Sequence, residues 1–295
     1  MAYPKRAPEL IQIEHSPRRL HRWSAQRRRA GERVGLVPTM GALHDGHLEL
    51  VRALSAKVDR IAVSIFVNPT QFGPNEDFSR YPRSEAEDLA KLASLGVDLA
   101  YMPSPEDMYP EGFASTVKVG GTLTQVLDAV ARPGHFDGVA TVVAKLLQQA
   151  VPDVAAFGEK DYQQLQIVKR MARDLDLPVE ILPVPTVRDE HGLALSSRNQ
   201  YLSAGELAVA RQLNRVLAKT ADRLRGVATA DVATAEAQAE LLAIGFTSVD
   251  YVALADPETL APMARLDRPG RLLVAARLGK TRLIDNIAVN LFGRA

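Results

Sequence analysis

Short apolar runs alternate with segments of helical periodicity over the first two thirds of the chain, which is the pattern of a parallel α/β sheet. Val34 to Val37 reads as a buried strand ended by Pro38, and Leu48, Val51, Leu54 and Val58 follow at helical spacing. Ile61 to Val67 reads as a second strand. Asn68 to Arg83 is rich in Asn, Pro and Gly and reads as a long loop, a length that in a compact domain often marks a lid. Ser84 caps a helix to Leu95, and Val97 to Met102 forms the next strand. The pattern then predicts helices at Thr122 to Val130 and Gly138 to Ala150, a strand at Val154 to Phe157, a helix at Tyr162 to Asp174 and a strand at Val179 to Val184. From about Thr186 it changes. Two helices, Ala204 to Leu224 and Thr229 to Ile244, precede strands at Ser248 to Leu254, Arg271 to Arg277 and Leu283 to Val289, the last two forming a hairpin with Gly279 in its turn. The expected organisation is a doubly wound parallel sheet over residues 1–186, binding its ligand beyond the carboxyl ends of the strands, and a smaller α+β domain over 187–295.

Charge and composition narrow the partners. Basic and acidic residues nearly cancel, at a formal net charge of +1, so no global field recruits nucleic acid or an anionic membrane. The exception is an N-terminal cluster, Arg18, Arg19, Arg22, Arg27, Arg28, Arg29 and Arg33. No aromatic stacking series interleaves with it, and a solvated helix face accounts for it better than a nucleic-acid site. Absence of cysteine excludes disulfides, thiolate-bound zinc and a thiol nucleophile. The opening Met1-Ala2-Tyr3-Pro4-Lys5-Arg6 leads into no apolar signal-peptide core, and no apolar run reaches the ~18 residues of a bilayer span. A soluble cytoplasmic protein is expected, with no membrane partner.

The sharpest polar signal is Pro38-Thr39-Met40-Gly41-Ala42-Leu43-His44-Asp45-Gly46-His47. It joins a buried strand to a helix start, where unpaired backbone N–H groups and the helix dipole favour a phosphate. His44 and His47 are three apart and can share one face. Two imidazoles beside a polyphosphate can donate hydrogen bonds to charge that develops in the transition state. The alternatives are a metal pair, for which no third zinc ligand is evident, or plain surface. Lys160, in Gly158-Glu159-Lys160-Asp161, puts a cation at another strand's carboxyl end, and Leu195-Ser196-Ser197-Arg198 offers hydroxyls and a guanidinium suited to pyrophosphate oxygens. Each of these two segments read alone is a solvated loop.

An HxGH element followed by a downstream Ser-Ser-Arg element resembles the nucleotidylyl-transferase superfamily. The full series is closer to one family. PTMGALHDGH from Pro38, SIFVNPTQFGPNEDFSRYPR from Ser64, RPGHFDGVATVVAKL from Arg132, FGEKDYQQ from Phe157, LSSRNQYLS from Leu195 and TRLIDN from Thr281 together resemble the pantothenate synthetase family. The resemblance implies a Rossmann-like nucleotide- and pantoate-binding domain, a C-terminal lid domain and a homodimer. It implies ATP as a substrate, with Mg²⁺, and a ligase that joins pantoate to β-alanine through a pantoyl-adenylate. By the same resemblance, Met40 to His47 (Met40, Gly41, Ala42, Leu43, His44, Asp45, Gly46, His47), Gly158 to Asp161 (Gly158, Glu159, Lys160, Asp161), Val187, and Leu195 to Arg198 (Leu195, Ser196, Ser197, Arg198) bind ATP. His47, His44, Lys160 and Arg198 would be catalytic, with His47 in the proton-donor position. Gln71 and Gln164 would bind pantoate, which suits a neutral amide able to donate and accept without cancelling the substrate's charge. No protein ligand for the metal is implied. No convincing base for β-alanine's proton is evident in the sequence, His47 and water being the candidates. Two rivals remain: a nucleotidyltransferase that stops at a dinucleotide or CDP-alcohol product, which has no need of the NPTQF and GEKDYQQ segments, and a non-catalytic nucleotide-sensing or RNA-binding module that uses the arginine cluster.

Overall fold

A computed structural model describes residues 11–74, 76–226 and 228–291; the opening stretch read above for a leader lies outside them. The elements, in chain order, are β1 (Gln12–Glu14), α1 (Pro17–Arg29), β2 (Val34–Thr39), α2 (Asp45–Ser55), β3 (Arg60–Ile65), α3 (Glu85–Ser94), β4 (Leu99–Tyr101), α4 (Pro105–Met108), α5 (Asp128–Ala131), α6 (His135–Ala150), β5 (Val154–Gly158), α7 (Tyr162–Asp174), β6 (Glu180–Val184), α8 (Ala204–Ala210), α9 (Gln212–Arg225), α10 (Ala230–Ile244), β7 (Ser248–Ala255), β8 (Gly270–Leu278) and β9 (Thr281–Val289).

The chain divides into two compact units. The first comprises residues 1–119, 133–159 and 167–185, and the second 120–132, 160–166 and 186–295. In the first, six strands lie in the order β1-β4-β3-β2-β5-β6, all parallel. This is the Rossmann-like, doubly wound sheet. Its central strands are largely buried and apolar, as suits a sheet covered by helices; Val37, Ile61, Val63, Ala100, Val154 and Ala156 share one core with Leu50, Val51 and Leu54 of α2. Strand order reverses between β2 and β5, the place where such sheets bind ligands. β2 does not stop at Pro38 as the sequence suggested but runs on to Thr39. Its pairing with β5 ends at Leu36, so on that side no ladder bond is asked of an imino nitrogen, while pairing with β3 continues to Thr39.

Other expectations shift in detail. The helix predicted at Thr122 to Val130 is instead a 3₁₀ turn, Thr122–Thr124, and the single-turn α5. Leu127 between them has φ +54°, which no continuous helix tolerates. The loop from Asn68 has internal order: 3₁₀ turns at Pro69–Gln71 and Phe78–Arg80, with the Phe72 ring 5.4 Å from Phe78 and 5.8 Å from Tyr81. The predicted helix at Ala204 to Leu224 breaks into α8 and α9 at Arg211. The arginine cluster does lie largely on a helix, α1, whose Leu20 and Trp23 are buried.

The second unit is the smaller α+β domain. β7, β8 and β9 form an antiparallel sheet, with Gly279 at φ +54° in the two-residue turn between β8 and β9. Helices α9 and α10 lay Leu213, Val216, Leu217, Ala233 and Ala237 on Leu272, Val274 and Ala276. The short α5 is tied to this sheet by Asp128, which accepts from Tyr251 Oη at 2.8 Å and Arg282 at 2.5 Å. Burial alone would raise that carboxyl's pKa, but Arg282, Tyr251 and Arg132 around it outweigh burial and hold it below its ordinary value.

Candidate functional site

The turn after β2 is built on a buried carboxylate. Gly41 and Ala42 lie at φ +79° and +49°, a kinked path that turns consecutive amides to one side. Asp88 of α3, 1% exposed, receives both: Ala42 N–H on Oδ2 and Leu43 N–H on Oδ1, each at 2.8 Å. Ser84 Oγ also donates to Asp88, at 3.2 Å, and Lys91 Nζ donates to the Leu43 carbonyl at 2.8 Å. A side chain at Gly41 would meet Asp88 Oδ2 at 3.2 Å and Ile65 at 3.1 Å, so glycine suits both the conformation and the space.

The two histidines then close the helix start reciprocally. Gly46 N–H donates to His44 Nδ1 at 3.1 Å, and His44 N–H donates to His47 Nδ1 at 3.3 Å. This is a capping box made of imidazoles, with ring centroids 4.1 Å apart. One expectation is corrected here. The amides of Ala42 and Leu43 are taken by Asp88 and those of His44 and Gly46 by the two imidazoles, so these four are not unpaired donors for phosphate. A different donor pair results. Because each Nδ1 accepts from a backbone N–H, the neutral ring must carry its proton on Nε2, so both imidazoles are set as Nε2–H donors at the positive end of the α2 dipole.

Gln71 sits against this segment. Its Nε2 donates to Met40 Sδ at 2.8 Å, and its Oε1 accepts from Asn68 Nδ2 at 3.1 Å. Asn68, 1% exposed, is saturated: Nδ2 also donates to the Gly138 carbonyl, while Oδ1 accepts from Thr70 and from Tyr109 Oη at 2.8 Å. The Gln71 carbonyl accepts from His135 Nδ1 at 2.7 Å, which makes His135 a support of this turn. Burial raises the Tyr109 hydroxyl's pKa, opposed by its bonds with Thr70 and Asn68, so it remains the donor. Burial lowers that of the neighbouring Lys145, whose Nζ lies 5.9 Å from the Tyr109 ring centre. The first unit thus brings Met40 to His47 and Gln71 together near the end of β2, and Gly158 ends β5, the strand next to it, with Glu159 directly after.

The second unit holds the remaining expected residues. Lys160 is half-buried in the 3₁₀ turn Glu159–Asp161, its Nζ 3.7 Å from Asp161. Val187 and Leu195 are joined by a backbone bond of 2.9 Å, and the bridge Arg188–Ala194 continues the pairing, so the segments bearing Val187 and Leu195 to Arg198 are neighbours. Ser196 Oγ caps the following 3₁₀ turn by accepting from Arg198 N–H at 3.3 Å; Ser197 is buried. Of the two adjacent glutamines, Gln163 is structural: its amide bonds to Leu123, Val126 and Asp128. Gln164 is half-buried. Sequence reasoning missed Asp88, Tyr109 and the network around Asn286. Asp88 and Tyr109 act on partners about 40 or more residues away, and no local signal marks them.

A sequence profile described as pantoate-beta-alanine ligase matches residues 12–288. The chain is 58% identical over 262 residues to a pantothenate synthetase of Mesorhizobium japonicum, covering 89% of this chain and 92% of that one. It is 58% identical to a pantothenate synthetase of Paramagnetospirillum magneticum, covering 88% and 91%. Among solved structures it is similar to pantothenate synthetase from Thermus thermophilus, with TM-score 0.88, 45% identity and 95% and 100% of the two chains covered. It is also similar to the Francisella tularensis pantoate-beta-alanine ligase complexed with beta-gamma ATP and beta-alanine, at TM-score 0.79, 34% identity and 94% and 97% coverage.

Proposed function

Because the chain belongs to the pantoate–β-alanine ligase family, we propose that it condenses pantoate with β-alanine at the expense of ATP through a pantoyl-adenylate, releasing pyrophosphate and then AMP. The observation that carries this reading is the contact of Gln71 with Met40. An amide suited to a hydroxy acid lies directly on the segment whose two histidines suit a phosphate. ATP and β-alanine are the ligands of the Francisella relative.

In the first step a pantoate carboxylate oxygen attacks the α-phosphorus of ATP in line. The new P–O bond forms as the bond to the bridging oxygen of pyrophosphate breaks. A carboxyl of ordinary pKa near 4 is already ionised at neutral pH, so the step needs no base. The Nε2–H groups of His44 and His47 donate to phosphate oxygens as charge develops, and pre-set donors of this kind are each worth about 10²–10³ in rate. We assign Lys160 and Arg198 to the same phosphates on the strength of their motifs, together with Gly158, Glu159, Asp161, Leu195, Ser196 and Ser197; Val187 is assigned to the adenine and Gln164 to pantoate. In the second step the β-alanine nitrogen attacks the acyl carbon, the carbon–oxygen bond to AMP breaks, and AMP leaves. His47 is a donor through Nε2, with Nδ1 occupied by a peptide N–H, so the amine's proton passes to water.

Among the described residues no three His, Asp or Glu side chains are grouped as a metal cage. A Mg²⁺ arriving with ATP would take phosphate oxygens and water as its ligands; His44, His47, Lys160 and Arg198, being donors, would hold it only through the phosphates. When bound it neutralises phosphate charge. No described helix is long and apolar enough to cross a membrane; we propose a cytoplasmic homodimer, which light scattering can check.

The test is pyrophosphate release with pantoate present and β-alanine absent. One pyrophosphate per active site is expected in a single turnover. His47→Ala should slow it about 10²–10³-fold, and Gln71→Ala should raise the pantoate requirement far more than the ATP requirement. Release that waits for β-alanine would contradict the reading.

A further inference from the structure

The TRLIDN segment lies on β9, and the functional assignment gives it no task. Its last residue, Asn286, is 3% exposed and reaches a residue 126 positions away: Nδ2 donates to the Lys160 carbonyl at 2.9 Å. The rest of Asn286 is fixed. Its Oδ1 accepts from Arg271 Nε of β8 at 2.6 Å, its N–H donates to Asp285 Oδ1 at 2.7 Å, and its carbonyl accepts from Arg188 at 3.3 Å. Asp285 in turn receives both ends of the Arg188 guanidinium, at 2.6 and 2.9 Å. Arg271 also lies 4.0 Å over the ring of Tyr162, whose hydroxyl donates to the Pro257 carbonyl at 3.0 Å. The backbone at Lys160 and the side chain two residues later are therefore held by neighbouring residues of one hairpin.

A lysine on a short 3₁₀ turn has a long, rotatable stem, and its ammonium is only as well placed as the backbone that carries it. Displacement of a charge-stabilising group by about 1 Å can cost about 10²-fold in rate. We propose that Asn286 is a positioning residue for Lys160, with Arg271 fixing the orientation of its amide. Asn286 sets where the Lys160 ammonium stands during attack on the α-phosphorus. This rests on the assignment of Lys160 to the phosphates.

The test is a double-mutant cycle on single-turnover pyrophosphate release, using the full chain with ATP, Mg²⁺ and pantoate. Asn286→Ala removes both side-chain bonds. Asn286→Asp keeps an acceptor for Arg271 but sets a carboxylate oxygen against the Lys160 carbonyl, and an unfolding midpoint measured for both variants guards against one that fails to fold. Each should lower the rate about 10- to 100-fold at a pantoate KM within about twofold of the parent. In a Lys160→Ala background neither should lower it further. An equal loss in both backgrounds, or a parent-like rate for both single variants, overturns the proposal while leaving the Lys160 assignment intact if Lys160→Ala is itself slow. A parent-like rate for Lys160→Ala overturns both.

Discussion

The donors offered by His44 and His47 are decided by two backbone amides rather than by the rings themselves. Gly46 N–H and the N–H of His44 occupy the Nδ1 atoms, and the turn that aims those amides depends on Asp88 beneath it. Asp88→Ala leaves the Ala42 and Leu43 amides buried without their acceptor, at about 1–3 kcal/mol each. The expected outcome is a lowered unfolding midpoint and a raised KM for ATP, with pantoate affected less; Asp88→Asn, which retains one acceptor oxygen, should fall between. Calorimetry and initial rates check both. At this scale the sequence was legible where chemistry is local. The HxGH spacing announces paired imidazoles, but not that the neighbouring amides are consumed, because their acceptor lies 45 and 46 residues on.

Among the elements, α6 and the turn bearing Gln71 meet backbone to backbone. A Cβ on Gly138 would stand 2.3 Å from the Thr70 carbonyl oxygen and 2.8 Å from Gln71 N. Neither atom can swing aside as a side chain would, so Gly138→Ala must displace the Pro69–Gln71 turn. A loss of about 1–3 kcal/mol in stability is expected from overpacking, along with a rise in pantoate KM, measured by denaturant unfolding and saturation kinetics. An unchanged pantoate KM would mean that the turn does not position substrate. Strands and helices with sustained periodicity were legible, as with α7 and the β8–β9 hairpin. The three-residue β1 is too short to register. The Thr122 to Val130 stretch carries helical periodicity, yet the Gln163 amide captures the N–H of Asp128 and Leu127 turns to positive φ. There a tertiary contact overrides the local pattern.

For the whole molecule, the proposed chemistry belongs at the reversal of strand order between β2 and β5. Alternation of strand and helix announces a parallel sheet, but which strands are neighbours depends on pairings distant in sequence, such as Gly35 with Val154. The reversal puts the HxGH turn and the end of β5 on adjacent strands, and α6 brings Gln71 to Met40 in the same unit. In the proposed reaction a pantoate oxygen attacks phosphorus before any amide forms. Pantoate labelled with oxygen-18 in its carboxylate tests it most directly. One labelled oxygen should leave on AMP as the amide is made, read by mass spectrometry of the products. Label absent from AMP and present instead in inorganic phosphate would show that the carboxylate attacked the terminal phosphorus, and would contradict the account.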